Sequence, residues 1–142
     1  MWNKHSCFET SMHAPLIISS PDIEGGQRVA ALVEFIDIYP SLCELAGIDQ
    51  PAHLQGDSLK PLMLDSSAKW KQFAVGRYKS GDTIRSNSHR YSEFRDRRGN
   101  VTGRMLFDHH VDSKETVNVV SAADQQPTVG VLAPELFNRM GK

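Results

Sequence analysis

The sequence predicts an α/β fragment followed by a small α+β unit, and three observations carry that reading. Residues 14–19, Ala-Pro-Leu-Ile-Ile-Ser, form an apolar run without polar alternation, the pattern of a strand covered on both faces in a mostly parallel sheet. Past residue 65 apolar residues thin out, and aromatic and charged residues alternate in short runs separated by turn signals. A helical stretch closes the chain at 127–139. The division this implies is 1–66, part of an α/β layer, and 67–142, a subdomain with an antiparallel sheet and a C-terminal helix.

The apolar run ends at Ser20-Pro21-Asp22, and Glu24-Gly25-Gly26 marks a turn. Residues 28–35 read equally as a strand or the start of a helix. Asp37 is a good N-cap, Pro40 suits a first helical turn, and Gly47 is a natural stop, so a helix is expected at about 38–46. Its apolar face is Leu42, Cys43, Leu45 and Ala46. Pro51, Gly56 and Pro61 punctuate the next loop. Phe73–Tyr78, Thr83–Ser86, Arg90–Arg95 and Arg104–Phe107 are strand candidates, with turns at 80–82, 87–88 and 98–100. This is the signature of an antiparallel meander with one wet face. Gly130 and Pro134 disfavour the terminal helix without removing its pattern. One or two apolar strands and a short helix cannot cover both faces of a parallel sheet, so the first piece needs a covering from elsewhere.

Composition narrows the function classes. The 142 residues are 39% hydrophobic and 23% charged, as in globular proteins, and the net charge of −1 provides no overall basic field for nucleic acid or an acidic membrane. No apolar run approaches the roughly 20 residues that span a bilayer. Met1–Cys7 has no apolar signal region, which in an intact gene favours the cytoplasm and in a fragment decides nothing. Cys7 and Cys43 lack metal-type spacing and are expected as two free, buried thiols.

Four segments, in order, resemble the sulfatase family. Trp2-Asn-Lys-His-Ser-Cys-Phe-Glu9 running into Ala14-Pro-Leu-Ile-Ile18 is similar to its W-x-K-x-S-x-F-E segment and P-L-I strand. Val33–Gly47 continues the likeness. Leu54-Gln-Gly-Asp-Ser-Leu-Lys-Pro-Leu62 resembles L-x-G-x-S-L-x-P-L, and Leu106–Asn118 resembles L-Y-D-x-x-x-D-P-x-E-x-x-N. Within the family the likeness is greatest to iduronate-2-sulfatase-like members. The resemblance implies the end of an alkaline-phosphatase-like mixed-sheet domain and a smaller antiparallel subdomain. It implies hydrolysis of sulfate esters, often on glycans, with Ca2+ bound in the intact enzyme. It makes a sulfated carbohydrate the substrate and the N-terminal half of the same enzyme the partner, with no nucleic acid and no membrane. Family members are often exported, periplasmic or lysosomal, and the compartment stays open. The family's nucleophile is a formylglycine made from Cys or Ser in C/S-x-P-x-R. Neither that motif, a D-H-G segment nor the calcium-binding Asp pairs occur here, so the chain by itself is expected to be inactive.

By the same resemblance Lys4 is the catalytic and substrate-binding candidate. A lysine at this position points at the sulfate and the leaving-group oxygen, where a compact ammonium stabilises negative charge as the S–O bond breaks. The bland alternative is a solvated lysine. His5 is a second substrate-binding candidate, against a plain surface histidine. His13 stands where the family usually has arginine. Asp108-His109-His110-x-Asp112 has metal-ligand composition, yet adjacent histidines do not converge on one ion, and the family reads the stretch as a turn, so no metal ligand is assigned. Arg90, Arg95, Arg97, Arg98 and Arg104, interleaved with Tyr91 and Phe94, suit an anionic glycan; the competing reading is a hairpin face balanced by Glu93 and Asp96. Three functional readings stay open: an enzyme part with exposed apolar surface on residues 14–46, a non-catalytic remnant binding anionic glycan or a partner protein, and a relative acting on phosphodiester or phosphonate esters.

Overall fold

The computed structural model describes residues 4–141, which form two compact units, 4–15 with 73–141 and 16–72. The fold class is the expected one: pieces of an α/β layer and a four-stranded antiparallel sheet with a C-terminal helix.

In the first unit α1 (Glu9–Met12) precedes β1 (Ala74–Tyr78), β2 (Gly81–Arg85), β3 (His89–Arg95), β4 (Val101–Asp108) and α4 (Gln126–Arg139). The strands form a meander in the order β1-β2-β3-β4, with a register irregularity at Phe94/Arg95. Register sets the two faces. Ile84, Tyr91 and Leu106 are opposite one another on neighbouring strands and pack with Leu132 and Leu136 of α4 into the core. Burial of Leu132 and Leu136, one helical turn apart, sustains α4 despite Pro134 and Gly130 inside it.

The other face is not wet, contrary to expectation. Thr83 and Arg90 are 2% and 3% exposed there, and Ser92 is fully buried. The cover comes from residues 7–12. Cys7 Sγ lies 3.5 Å from the Gly81 carbonyl, Phe8 meets the Phe107 ring at 5.6 Å, and Met12 lies beside Gly76. Gly81 makes this approach possible, since a Cβ there would sit 2.6 Å from the Phe94 ring and 2.9 Å from Cys7 Sγ. Sequence periodicity cannot reveal a cover separated from the sheet by about sixty residues.

The second unit contains a 3-10 turn (Phe35–Asp37), α2 (Ile38–Ala46) and α3 (Lys60–Leu64). The expected strand at 14–19 is absent: this stretch has no regular secondary structure and no ladder bonds, and Ile17 is 91% exposed. A strand is defined by its neighbours, and none lies beside it among the described residues. Residues 28–34 are irregular. Helix α2 has the expected bounds, and Gly47 closes it at φ 67 with Ile48 N–H donating to the Cys43 carbonyl. Its buried residues are Pro40, Ser41 and Cys43, whereas Leu42 points outward. The expected loop contains α3, with Pro61 in its first turn.

Asp37 stands at the N-cap of α2 but does not cap it. Its carboxylate instead accepts the Glu34 N–H at 2.7 Å, the Asp57 N–H at 3.1 Å and the Lys71 ammonium at 2.8 Å. Lys71 also reaches Glu34 at 2.7 Å. Burial opposes the Lys71 charge, but hydrogen bonds to Asp37 and Glu34 outweigh it and hold its pKa above the ordinary value. Ser41 donates to the Asp37 carbonyl and accepts the Leu59 N–H at 2.8 Å, tying α2 to the start of α3. No helix among the described residues is long and apolar enough to cross a membrane.

Candidate functional site

The candidate site starts at the segment 4–9. Lys4 is exposed and lies outside regular structure; Trp2 and Asn3 of the same motif lie outside the described residues. His5 adopts φ 60, a left-handed conformation uncommon for a residue with a Cβ, and its ring stacks on Tyr78 at 5.5 Å. Lys79, at φ 52, places its ammonium 5.5 Å from the same tyrosine ring. After His5 the chain turns inward, and Cys7 is buried against Gly81. Burial pushes the Cys7 thiol up, which keeps it protonated and unreactive at neutral pH.

Glu9 then enters a polar cluster on the covered face of the sheet. Its carboxylate accepts from Arg90 Nη2 and from Arg85 Nε at 3.4 Å, and lies 2.9 Å from His13 Nδ1. Its backbone N–H donates to Glu115 Oε2 at 2.6 Å. Glu115 also accepts Arg90 Nε at 2.8 Å and lies 2.8 Å from His109 Nε2. Arg90 Nη1 reaches the Thr83 hydroxyl at 3.4 Å. One guanidinium thus joins two carboxylates, one from the N-terminal segment and one from the loop after β4. Its planar fork fits this task better than a point charge. Burial alone would raise the Glu9 pKa; the hydrogen bond and charge of Arg90, with Arg85, hold it below the usual carboxylate range.

The loop after β4 explains why the Leu106–Asn118 residues are spaced as they are. Asp108 accepts the His110 N–H, and Asp112 accepts the N–H groups of Thr116 and Val117. Glu115, at φ 56, is presented to Arg90 by that turn. Asn118 accepts the Leu106 N–H and donates to the Arg104 carbonyl, satisfying the free edge of β4. Both aspartates are therefore engaged in turn geometry, in keeping with the turn reading of this stretch.

Among the described residues, Glu9, His109 and Glu115 are the His/Cys/Asp/Glu group whose ligand atoms converge, all within 4.8 Å. The Arg90 guanidinium is hydrogen-bonded to both carboxylates and already supplies their cation. Calcium takes about six to eight oxygen ligands, and this cluster does not fit it.

The arginine-rich stretch separates in the same way. Arg90 is in the cluster above, and Arg95 and Arg104 pair with Glu93, which also accepts the buried Tyr91 hydroxyl. Arg97 and Arg98 are exposed at the hairpin tip with Asp96. The balanced-face reading describes Arg95 and Arg104, while Arg90 serves a buried junction that no spacing rule could have singled out. The second unit has an apolar cleft of about 640 Å³, lined by Leu16, Ile18, Val29, Leu59 and Leu62 among others; it lacks convergent catalytic groups.

A family model described as N-sulphoglucosamine sulphohydrolase, C-terminal, matches residues 1–141. Arylsulfatase K of Xenopus laevis is 31% identical over 137 residues, which cover 87% of this chain and 25% of that protein. The phosphonate monoester hydrolase SpPMH from Silicibacter pomeroyi has the same fold, with a TM-score of 0.84 at 21% identity over 97% of this chain and 31% of its own. BT4656, solved with its substrate D-glucosamine-2-N,6-O-disulfate, has a TM-score of 0.66 at 22% identity over 73% of this chain and 23% of its own. The chain thus spans about a quarter of the curated relative's length. With the family model matched across all but the final residue, the chain belongs to the sulfatases, in the N-sulphoglucosamine sulphohydrolase C-terminal family.

Proposed function

We propose that this chain is the C-terminal part of an enzyme that hydrolyses sulfate esters of glycans, and that Lys4 stabilises charge on the sulfate and its leaving-group oxygen. The family match over residues 1–141 carries the reading. BT4656 binds a sulfated glucosamine, which supports a sulfated carbohydrate as the substrate class. The finer assignment, an iduronate-2-sulfatase-like specificity, rests on the overall resemblance of the four motifs and stands beside the 31% identity to arylsulfatase K.

In this reading residues 1–66 close the catalytic α/β layer and residues 67–142 border the substrate. The nucleophile and the calcium ligands belong to the N-terminal half, which also covers the apolar side chains of residues 14–46. Ile17, Phe35 and Leu42 are 91%, 74% and 56% exposed, a density of apolar surface that suits such a cover. His5 forms part of the pocket wall through its stack on Tyr78. As the sulfur–oxygen bond breaks, charge develops on the leaving oxygen, and an ammonium fixed in place stabilises it more than mobile water does. The chain without its N-terminal half is inactive in this reading. The remnant alternative loses most of its support because three of its five arginines pair with carboxylates.

The test is Lys4→Ala in the complete enzyme, assayed on a small aryl sulfate. Turnover should fall about 100- to 1,000-fold with the thermal transition unchanged. Wild-type turnover would remove Lys4 from the reaction.

A further inference from the structure

We infer that Arg90, bridging Glu9 and Glu115, is the positioning residue that fixes the segment bearing Lys4; the inference rests on the role of Lys4 proposed above. Lys4 is exposed, and a long flexible side chain on an exposed segment does not hold an ammonium at one point by itself. The residues just downstream of Lys4 are held firmly. Glu9, five positions along, is tied to the sheet through both its backbone and its side chain. Its N–H donates to Glu115 Oε2 at 2.6 Å, and its carboxylate accepts from Arg90. Arg90 is 3% exposed and lies in β3, one of the two central strands, so its guanidinium is fixed relative to the core. Glu115, at φ 56, is locked by Arg90 Nε at 2.8 Å, by His109 at 2.8 Å and by its own turn bond to Asp112.

The geometry holds the segment at three points. Glu9 fixes its far end, and the Cys7–Gly81 and His5–Tyr78 contacts set its direction. Loss of the Arg90 fork would break the two-pronged bridge between the Glu9 and Glu115 carboxylates and release the far anchor. The core on the opposite face, Ile84, Tyr91, Leu106, Leu132 and Leu136, would remain. Arg90 therefore acts on turnover through Lys4 without touching substrate.

Arg90→Lys keeps the charge and loses the fork, and Glu9→Gln is a milder second variant that keeps the side-chain shape. In the complete enzyme each should lower kcat about 10- to 100-fold with KM changed less than about threefold, since displacement of a catalytic group by about 1 Å costs up to that much. Each is then combined with Lys4→Ala. If Arg90 works through Lys4, the double variants are no slower than Lys4→Ala alone, and far-ultraviolet dichroism and active-site titration show an undiminished folded fraction. Multiplicative losses in the Lys4→Ala background, or a kcat drop that only tracks a lost folded fraction, would overturn the inference and leave the Lys4 reading intact. An inert Lys4→Ala substitution, with turnover as in the wild type, would overturn both.

Discussion

The two units of this chain draw on the same kinds of residue but are stabilised differently. The unit of 4–15 and 73–141 closes around Ile84, Tyr91 and Leu106 on one face and around Arg90 on the other. The unit of 16–72 is organised by a polar node, Asp37 with Glu34, Asp57 and Lys71, while Ile17, Phe35, Tyr39 and Leu42 face outward. A sheet with its register and two covers satisfies its own backbone and its own apolar surface. The described residues of 16–72 form no strand, and their exposed apolar side chains are left without a second layer.

The sharpest way to break this contrast is Asp37→Ala. Removing one member of a buried ion pair leaves Lys71 under-compensated and two backbone amides without an acceptor, at a cost of roughly 4 kcal/mol. Proteolysis should then cut within 16–72 first, while the sheet stays protected; equal loss in both units would end the idea of a separate polar node. Leu106→Ala attacks the other unit and should cost roughly 3 kcal/mol in denaturant unfolding, with the protection pattern reversed.

Smaller and opposite in sign are the pH responses. Glu9 and Glu93 are held below the ordinary carboxylate range, burial opposing and hydrogen bonds from Arg90 and from Tyr91 with Arg104 prevailing. Their contribution is present above the unfolded value of about 4.3 and is lost as pH falls through the folded one. Lys71 is raised, so its contribution is full below about 10.4 and is lost as pH rises through the folded value. Acid should therefore loosen the sheet unit, and alkali the 16–72 unit, in hydrogen exchange followed by mass spectrometry. An acid-insensitive Glu9 cluster would contradict the first half.

The smallest effect belongs to Leu42→Ala. At 56% exposure it should change the stability of this chain by less than about 0.5 kcal/mol, whereas in the complete sulfatase it should cost more. Equal effects in the two settings would mean that nothing covers α2.

Local patterns were legible where the cause is local. The bounds of α2 derive from Pro40 in its first turn and Gly47 at φ 67, and the four strands from period-two runs between turn residues. The terminal helix was legible as a run at 127–139, and burial of Leu132 and Leu136 sustains it in spite of Pro134. The strand at 14–19 was misread because its pattern describes an environment that other segments must provide. The second sheet face was misread because its cover, Cys7, Phe8 and Met12, lies about sixty residues earlier.

By itself, then, the sequence determined the fold class, the order of α2, the four strands and the terminal helix, the sulfatase motifs and the candidacy of Lys4 and His5. Only the tertiary structure decided that Asp37 binds Lys71 instead of capping α2, that Arg90 is buried, and that Glu9, Glu115 and His109 meet around it. The reason is that each of those facts is a choice among partners. Charge, size and spacing tell what a side chain can bind, and chain topology alone sets which of the compatible groups arrives within hydrogen-bonding reach.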